Sequence, residues 1–173
     1  MENVDAVLSE LGIDICLLQQ RGLRRHPQAP VLEAVACGND GREHRLAPAA
    51  AQAWRVMRSA AASDGIQLDV ISAYRSVARQ AEIIRAQLAA GRRLVDVLTV
   101  LAAPGYSEHH TGRAVDISTP GIKAVQVEFE QTAAFAWLMT HAADFGFRLS
   151  YPRDNAEGYQ YEPWHWCFHA PAV

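Results

Sequence analysis

His109, Asp116 and His165 are of the types that grip a catalytic zinc ion, and Glu162 is of the type that moves a proton beside one. A catalytic zinc takes three imidazole or carboxylate ligands and keeps a fourth position for water, whose pKa it brings down to about 7. His109 and Asp116 lie seven residues apart, and Gly112 between them offers the backbone freedom to fold the chain back so that both side chains reach one ion. His165, near the other end of the sequence, is the expected third ligand.

The phase of the aromatics ties Glu162 to His165. In YQYEPWHWCF, Tyr159 and Tyr161 hold odd positions while Trp164, Trp166 and Phe168 hold even ones, so a period of two slips by one residue. A β-bulge at Pro163 is the expected cause, because proline cannot donate to a ladder and sits in strands at bulges or edges. In an unbroken strand, residues three apart face opposite ways. One extra residue brings Glu162 and His165 to the same face, where the carboxylate can act as base to a water and as acid to a leaving amine.

Taken singly, each of these four residues reads equally well as an ordinary polar side chain, at the surface or hydrogen-bonded in a turn. Glu162 resists that reading most, since an acid within a run of five large aromatics is costly to bury without a cation or a hydrogen-bond partner. His26, His44, His141 and His169 have no spacing that joins them to the group.

The positioning elements follow from periodicity. The first 25 residues suggest two short helices that brace the main body, and residues 31 to 46 read as a hairpin around the turn cluster Gly38 to Gly41. Pro48 opens a core helix with Trp54, Met57 and Ala61 on one stripe and Gly65 as its stop. Residues 67 to 73 alternate as a strand, and residues 76 to 91 form a helix with Ser76 as N-cap, which puts Tyr74 and Arg75 at a strand-to-helix corner. A further helical stretch spans about 93 to 102, and AVDIS is a short strand. The stripe Phe135, Leu138, Met139, Ala142 and Phe145 makes a helix that stops at Gly146, and FRLSYP and the terminal aromatic run are two strands. Helices and strands are mixed, with hairpins at both ends, so the expected fold class is α+β, a single domain with a mainly antiparallel central sheet flanked by helices. Residues 1–47 are expected to pack as helices and hairpin against a catalytic core of residues 48–173.

At 173 residues one core suffices. A formal charge of −3 supplies no basic field for nucleic acid, and no apolar run approaches the ~20 residues of a membrane-spanning helix. The acidic first ten residues do not resemble a secretory signal, giving the expectation of a cytoplasmic protein, or a periplasmic one if the chain is trimmed. Cys16, Cys37 and Cys167 are too few and too scattered for a disulfide framework and are expected to be small buried hydrophobes.

Three segments carry a family resemblance. SEHHTGRAVDI resembles the S-x-H-x-x-G-x-A-x-D signature, and YEPWHW the E-x-W-H signature, of the zinc D-alanyl-D-alanine peptidases of the VanY and VanX type. SAYRSVARQ is similar to the segment that precedes them in that family, so the likeness runs over about residues 48 to 169. It implies the small α+β domain shared with the Hedgehog signalling domain and one Zn2+ held by His109, Asp116 and His165. It also implies Glu162 as catalytic acid/base, Arg75 as oxyanion stabiliser, and Ser107 and Gln80 near the substrate. The activity implied is removal of the terminal D-alanine from a peptidoglycan-type peptide. The alternatives are a D,D-dipeptidase, a peptidoglycan endopeptidase, or a non-catalytic zinc-containing module that binds cell wall.

Two positions depart from the pattern: many relatives carry arginine where this chain has Ser150 and Cys167. His110 stands where relatives often have a neutral amide and reads as a residue behind the site or at the surface.

Overall fold

The computed structural model describes residues 3–38 and 41–170. Two short helices open it, α1 (Val4–Glu10) and α2 (Ile15–Gln20), each started by a side-chain cap, Asn3 and Asp14, that accepts from backbone N–H groups of the first turn. β1 (Glu33–Cys37) and β2 (Glu43–Leu46) form an antiparallel hairpin; the expected turn residues Asn39 and Asp40 lie outside the described residues. α3 (Pro48–Ser63) begins with proline in its first turn and points Trp54, Met57 and Ala61 inward without exposed surface. β3 (Asp69–Ser72) leads through the Tyr74–Arg75 corner into α4 (Val77–Ala89), whose Ser76 cap accepts from the Arg79 N–H at 3.1 Å. The remaining elements are α5 (Leu94–Val97), a 3-10 turn (Glu108–Thr111), β4 (Ala114–Ser118), a second 3-10 turn (Val127–Gln131), α6 (Ala133–His141) running into a third (Ala142–Phe145), β5 (Phe147–Leu149) and β6 (His165–Phe168).

The main sheet has the order β3-β4-β6-β5, every neighbouring pair antiparallel. Its strands alternate between two faces. Val115, Ile117, Trp166 and Phe168 join α3 and α6 in the larger core, so Asp116, His165 and Cys167 take the opposite parity. The N-terminal helices enter a second cluster, in which Leu8, Leu11, Ile13 and Leu18 pack with Ala81 and Ile84 of α4, Val97 of α5 and Tyr106. This is the expected α+β architecture, and among the described residues no helix is long and apolar enough to cross a membrane.

Several local expectations are corrected. The terminal aromatic run is a strand only from His165 onward, and Pro163 sits in a tight turn rather than a bulge: the His165 N–H donates to the Glu162 carbonyl at 3.1 Å. The stretch near 93 to 102 is helical only to Val97, after which turns carry it to Leu101; the Thr99 hydroxyl donates to the Asp96 carbonyl at 2.8 Å, a side-chain bond that competes with helix continuation. Met139, placed on the apolar stripe, is 58% exposed. Cys16 and Cys37 are exposed, leaving Cys167 alone as a buried thiol.

Candidate active site

Register assembles the site. Asp116 pairs with Ser72 on one side and His165 on the other, so the three stand in a row across the sheet. His109 comes from the 3-10 turn just before β4, which Ser107 caps by accepting from the His109 N–H at 3.3 Å. Gly112 ends that turn at φ +64°, where a Cβ would meet the Ala47 nitrogen at 2.8 Å and a Leu32 methyl at 2.9 Å. Only glycine reverses the chain there without strain.

The His109 Nδ1–H donates to the Ala73 carbonyl at 2.6 Å, which leaves Nε2 facing Asp116 Oδ2 at 3.3 Å. His165 turns Nδ1 toward Asp116 Oδ1 at 3.0 Å. One ligand atom from each of the three residues lies within 4.8 Å of the other two, and all three residues are at most 4% exposed. Zinc bonds of about 2.0–2.1 Å in tetrahedral array place ligand atoms roughly 3.3 Å apart, so the donor set and its spacing fit one such ion.

The electrostatics agree. Burial lowers the His109 pKa and keeps that imidazole neutral, its lone pair available. Burial alone would raise Asp116, but the two histidines hold it well below the usual carboxylate range. Burial likewise opposes charge on His165, yet hydrogen bonds to Asp116 and Glu108 win and push it up to about 10. In the metal-free protein a proton therefore sits where a cation would bind, and metal binding releases it.

Glu162 follows the Glu162–His165 turn into the site with Oε2 3.8 Å from His165 Nδ1. Its surroundings, mainly burial, raise its pKa from 4.5 to about 7. An acid raised on folding binds its proton more tightly when folded. Its ionisation therefore costs stability that begins to be lost above pH 4.5 and is fully lost above pH 7. In zinc-free protein, Glu162→Gln should raise stability at pH 8 by on the order of 1–3 kcal/mol and change it little at pH 4.5. Thermal melts of both proteins at the two pH values check this, and an equal shift at both would refute it.

Arg75 lies across from Glu162. Its Nη2 donates to Ser72 Oγ at 3.1 Å and lies 3.9 Å from Asp116, and its Nη1 donates to Gln80 Oε1 at 2.8 Å. Gln80 is fully buried, and its amide also donates to the Ala102 carbonyl at 2.6 Å. It was expected near substrate, and it borders the same cavity as Arg75 while its amide holds that arginine. Arg75, Ser107, His109, Asp116, Glu162 and His165 all border one cavity of about 400 Å³, which Tyr151, Tyr161 and Trp164 also line.

Two further residues serve this site, and the sequence reading missed one of them, Glu108. His110 takes the first of its two expected places, buried behind the site: its Nδ1 donates to the Arg75 carbonyl at 2.6 Å and its Nε2 accepts from the Gly105 N–H at 3.0 Å. Glu108 Oε2 lies 3.0 Å from His165 Nε2 and accepts from Ser150 Oγ at 2.6 Å. An acid beside a motif histidine was the only local signal, since its partner is 57 residues away. The N-terminal region reaches the rim of the cavity through Arg21, which donates to the carbonyls of Leu98 at 3.0 Å and Glu157 at 2.8 Å. The same guanidinium lies over the Tyr159 ring, 4.7 Å from its centroid.

A buried His/Asp/His group on an antiparallel sheet, bordering a cleft that also holds an acid and a fixed arginine, is the set of groups that hydrolysis at a single zinc ion calls for. The VanY family, described as D-alanyl-D-alanine carboxypeptidase, matches residues 43–171. The chain belongs to that family. It is 37% identical over 121 residues to a putative carboxypeptidase, YodJ, of Bacillus subtilis, an alignment covering 67% of this chain and 43% of that protein. The chain thus spans less than half the length of that relative. Among solved structures it resembles the LD-carboxypeptidase LdcB with a TM-score of 0.72 at 30% identity, covering 82% of this chain and 69% of that one. It also resembles a vancomycin resistance D,D-pentapeptidase VanY in complex with Zn(II), with a TM-score of 0.64 at 30% identity, covering 84% and 85% of the two chains.

Proposed function

We propose that this chain is a zinc-dependent D-alanyl-D-alanine carboxypeptidase that removes the terminal D-alanine from peptidoglycan-type peptides. The observation that carries the reading is a buried group of three metal-ligand atoms within 4.8 Å of one another, bordering the cavity that also holds Glu162 and Arg75. When bound there, zinc supplies a Lewis acid for the scissile carbonyl and a water of lowered pKa. Glu162 accepts a proton from the attacking water and returns it to the departing amine of D-alanine. Arg75, already fixed by Ser72 and Gln80, meets the negative charge that develops on the carbonyl oxygen, an interaction stronger in the transition state than in the ground state. Ser107, on the cavity wall, is placed to meet the peptide.

A structural zinc site is usually closed by a fourth protein ligand, whereas the group here has three among the described residues. This favours catalysis over a binding module. Zinc-loaded protein incubated with a pentapeptide ending in D-Ala-D-Ala should release free D-alanine. Release of the intact dipeptide would assign a dipeptidase, and cleavage inside the stem an endopeptidase. Release of D-alanine only from a tetrapeptide with an L-configured penultimate residue would assign an L,D-carboxypeptidase. No cleavage by zinc-holding protein would leave the binding module. Arg75→Ala should lower kcat/KM by about 10²–10³-fold with the zinc content unchanged, read by steady-state kinetics and metal analysis of the same preparation.

A further inference from the structure

The two histidine ligands present opposite nitrogens to the metal position, His109 its Nε2 and His165 its Nδ1. A neutral imidazole carries one proton, so each ring must hold it on the nitrogen facing away. For His109 the acceptor behind the ring is the Ala73 carbonyl. For His165 it is a charged group: Glu108 Oε2, 3.0 Å from Nε2, with the carboxylate itself held by the Ser150 hydroxyl at 2.6 Å. His165 is 3% exposed and the Glu108 side chain 18%, so this contact is largely sheltered from water.

We propose that Glu108, anchored by Ser150, is a positioning residue that holds the proton of His165 on Nε2 and turns its Nδ1 lone pair toward the metal. This rests on the zinc reading above and adds a part to it. A carboxylate behind a ligating imidazole fixes the tautomer and ring orientation and makes the ring a stronger donor, and losing such a partner typically costs 10–100-fold in metal affinity. Without Glu108 the ring is left with Asp116 and a tilted contact with Tyr151, whose centroid lies 4.8 Å away. The loop bearing Ser150 belongs to β5's exit and the turn bearing Glu108 precedes β4, so one hydrogen bond links the metal position to a segment that contributes no ligand.

The test measures Zn2+ affinity by competition with a chromophoric chelator in wild type, Glu108→Ala, Glu108→Gln and Ser150→Ala. Nitrogen-15 NMR of the histidine rings in the zinc-loaded proteins reads the tautomer. Glu108→Ala should bind zinc about 10–100-fold more weakly. Glu108→Gln should lose less, because its amide oxygen still accepts from Nε2–H, and Ser150→Ala should lose a few-fold. The NMR signal of a protonated Nε2 should be sharp in wild type and in Glu108→Gln and broadened or shifted in Glu108→Ala. A purely structural role would lower the melting temperature of the variants while leaving tautomer and affinity unchanged, and that result overturns the proposal. Wild type and Glu108→Ala binding zinc equally overturns it as well and leaves the proposed function standing, whereas a wild type that binds no zinc overturns both.

Discussion

Glu162→Gln should hold zinc like the wild type and hydrolyse D-Ala-D-Ala-ended peptide about 10²–10⁴-fold more slowly. The amide matches the carboxylate in shape and cannot accept a proton, so the substitution removes chemistry and keeps packing. Glu162 stands outside the three-residue metal group, 3.8 Å from His165 Nδ1, which is why metal content should survive. The loss should fall at the upper end because one residue serves both proton transfers, to the carboxylate from water and from it to the amine. Single-turnover assays on metal-quantified protein decide the point; a rate within tenfold of wild type would remove Glu162 from the mechanism. The same substitution is expected to stabilise the metal-free protein above pH 7, so activity and stability should move in opposite directions.

Asp116→Asn should do wider damage. Asp116 lies 3.3 Å from His109 Nε2, 3.0 Å from His165 Nδ1 and 3.9 Å from Arg75, and its side chain is 6% exposed. Among the described residues it is the one anion in direct contact with both ligand histidines. Its neutralisation removes a metal ligand, so zinc affinity should fall by more than the roughly 100-fold that an outer partner costs. It also strands a buried positive cluster, and breaking a buried pair from one side typically costs about 3–5 kcal/mol. Chelator competition and denaturant melts of the metal-free form read the two losses separately. An Asp116→Asn protein that binds zinc as tightly as wild type would sink the ligand assignment.

The convergence of His109, Asp116 and His165 was expected from the chain for two reasons: the first two flank a glycine turn, and two motifs resembling the VanY and VanX type joined the third, 49 residues beyond Asp116. The proximity of Glu162 to His165 was legible in the slipped phase of the aromatics, although a four-residue turn at Pro163 produces it and a bulge does not. Both devices insert a residue into the alternation, and periodicity alone does not distinguish them. Glu108 was opaque for another reason. Its role depends on which distant ring atom lies opposite, and that is fixed by the pairing of β4 with β6, which no single segment encodes. The exposure of Met139 shows a related limit, since an apolar residue at helical spacing falls at the edge of a stripe as readily as in its middle.

The Arg21 guanidinium shows why the stretch shared with relatives, residues 43–171, is an unsafe place to cut. A trimmed version would retain all the metal ligands and both proton-handling and charge-stabilising side chains. It would nevertheless lose the buttress joining Leu98, Glu157 and Tyr159 and bare the apolar flank that Leu8 and Leu18 cover. Kinship and self-sufficiency therefore have different borders in this chain, and a minimal catalyst built from it should begin near the first helix.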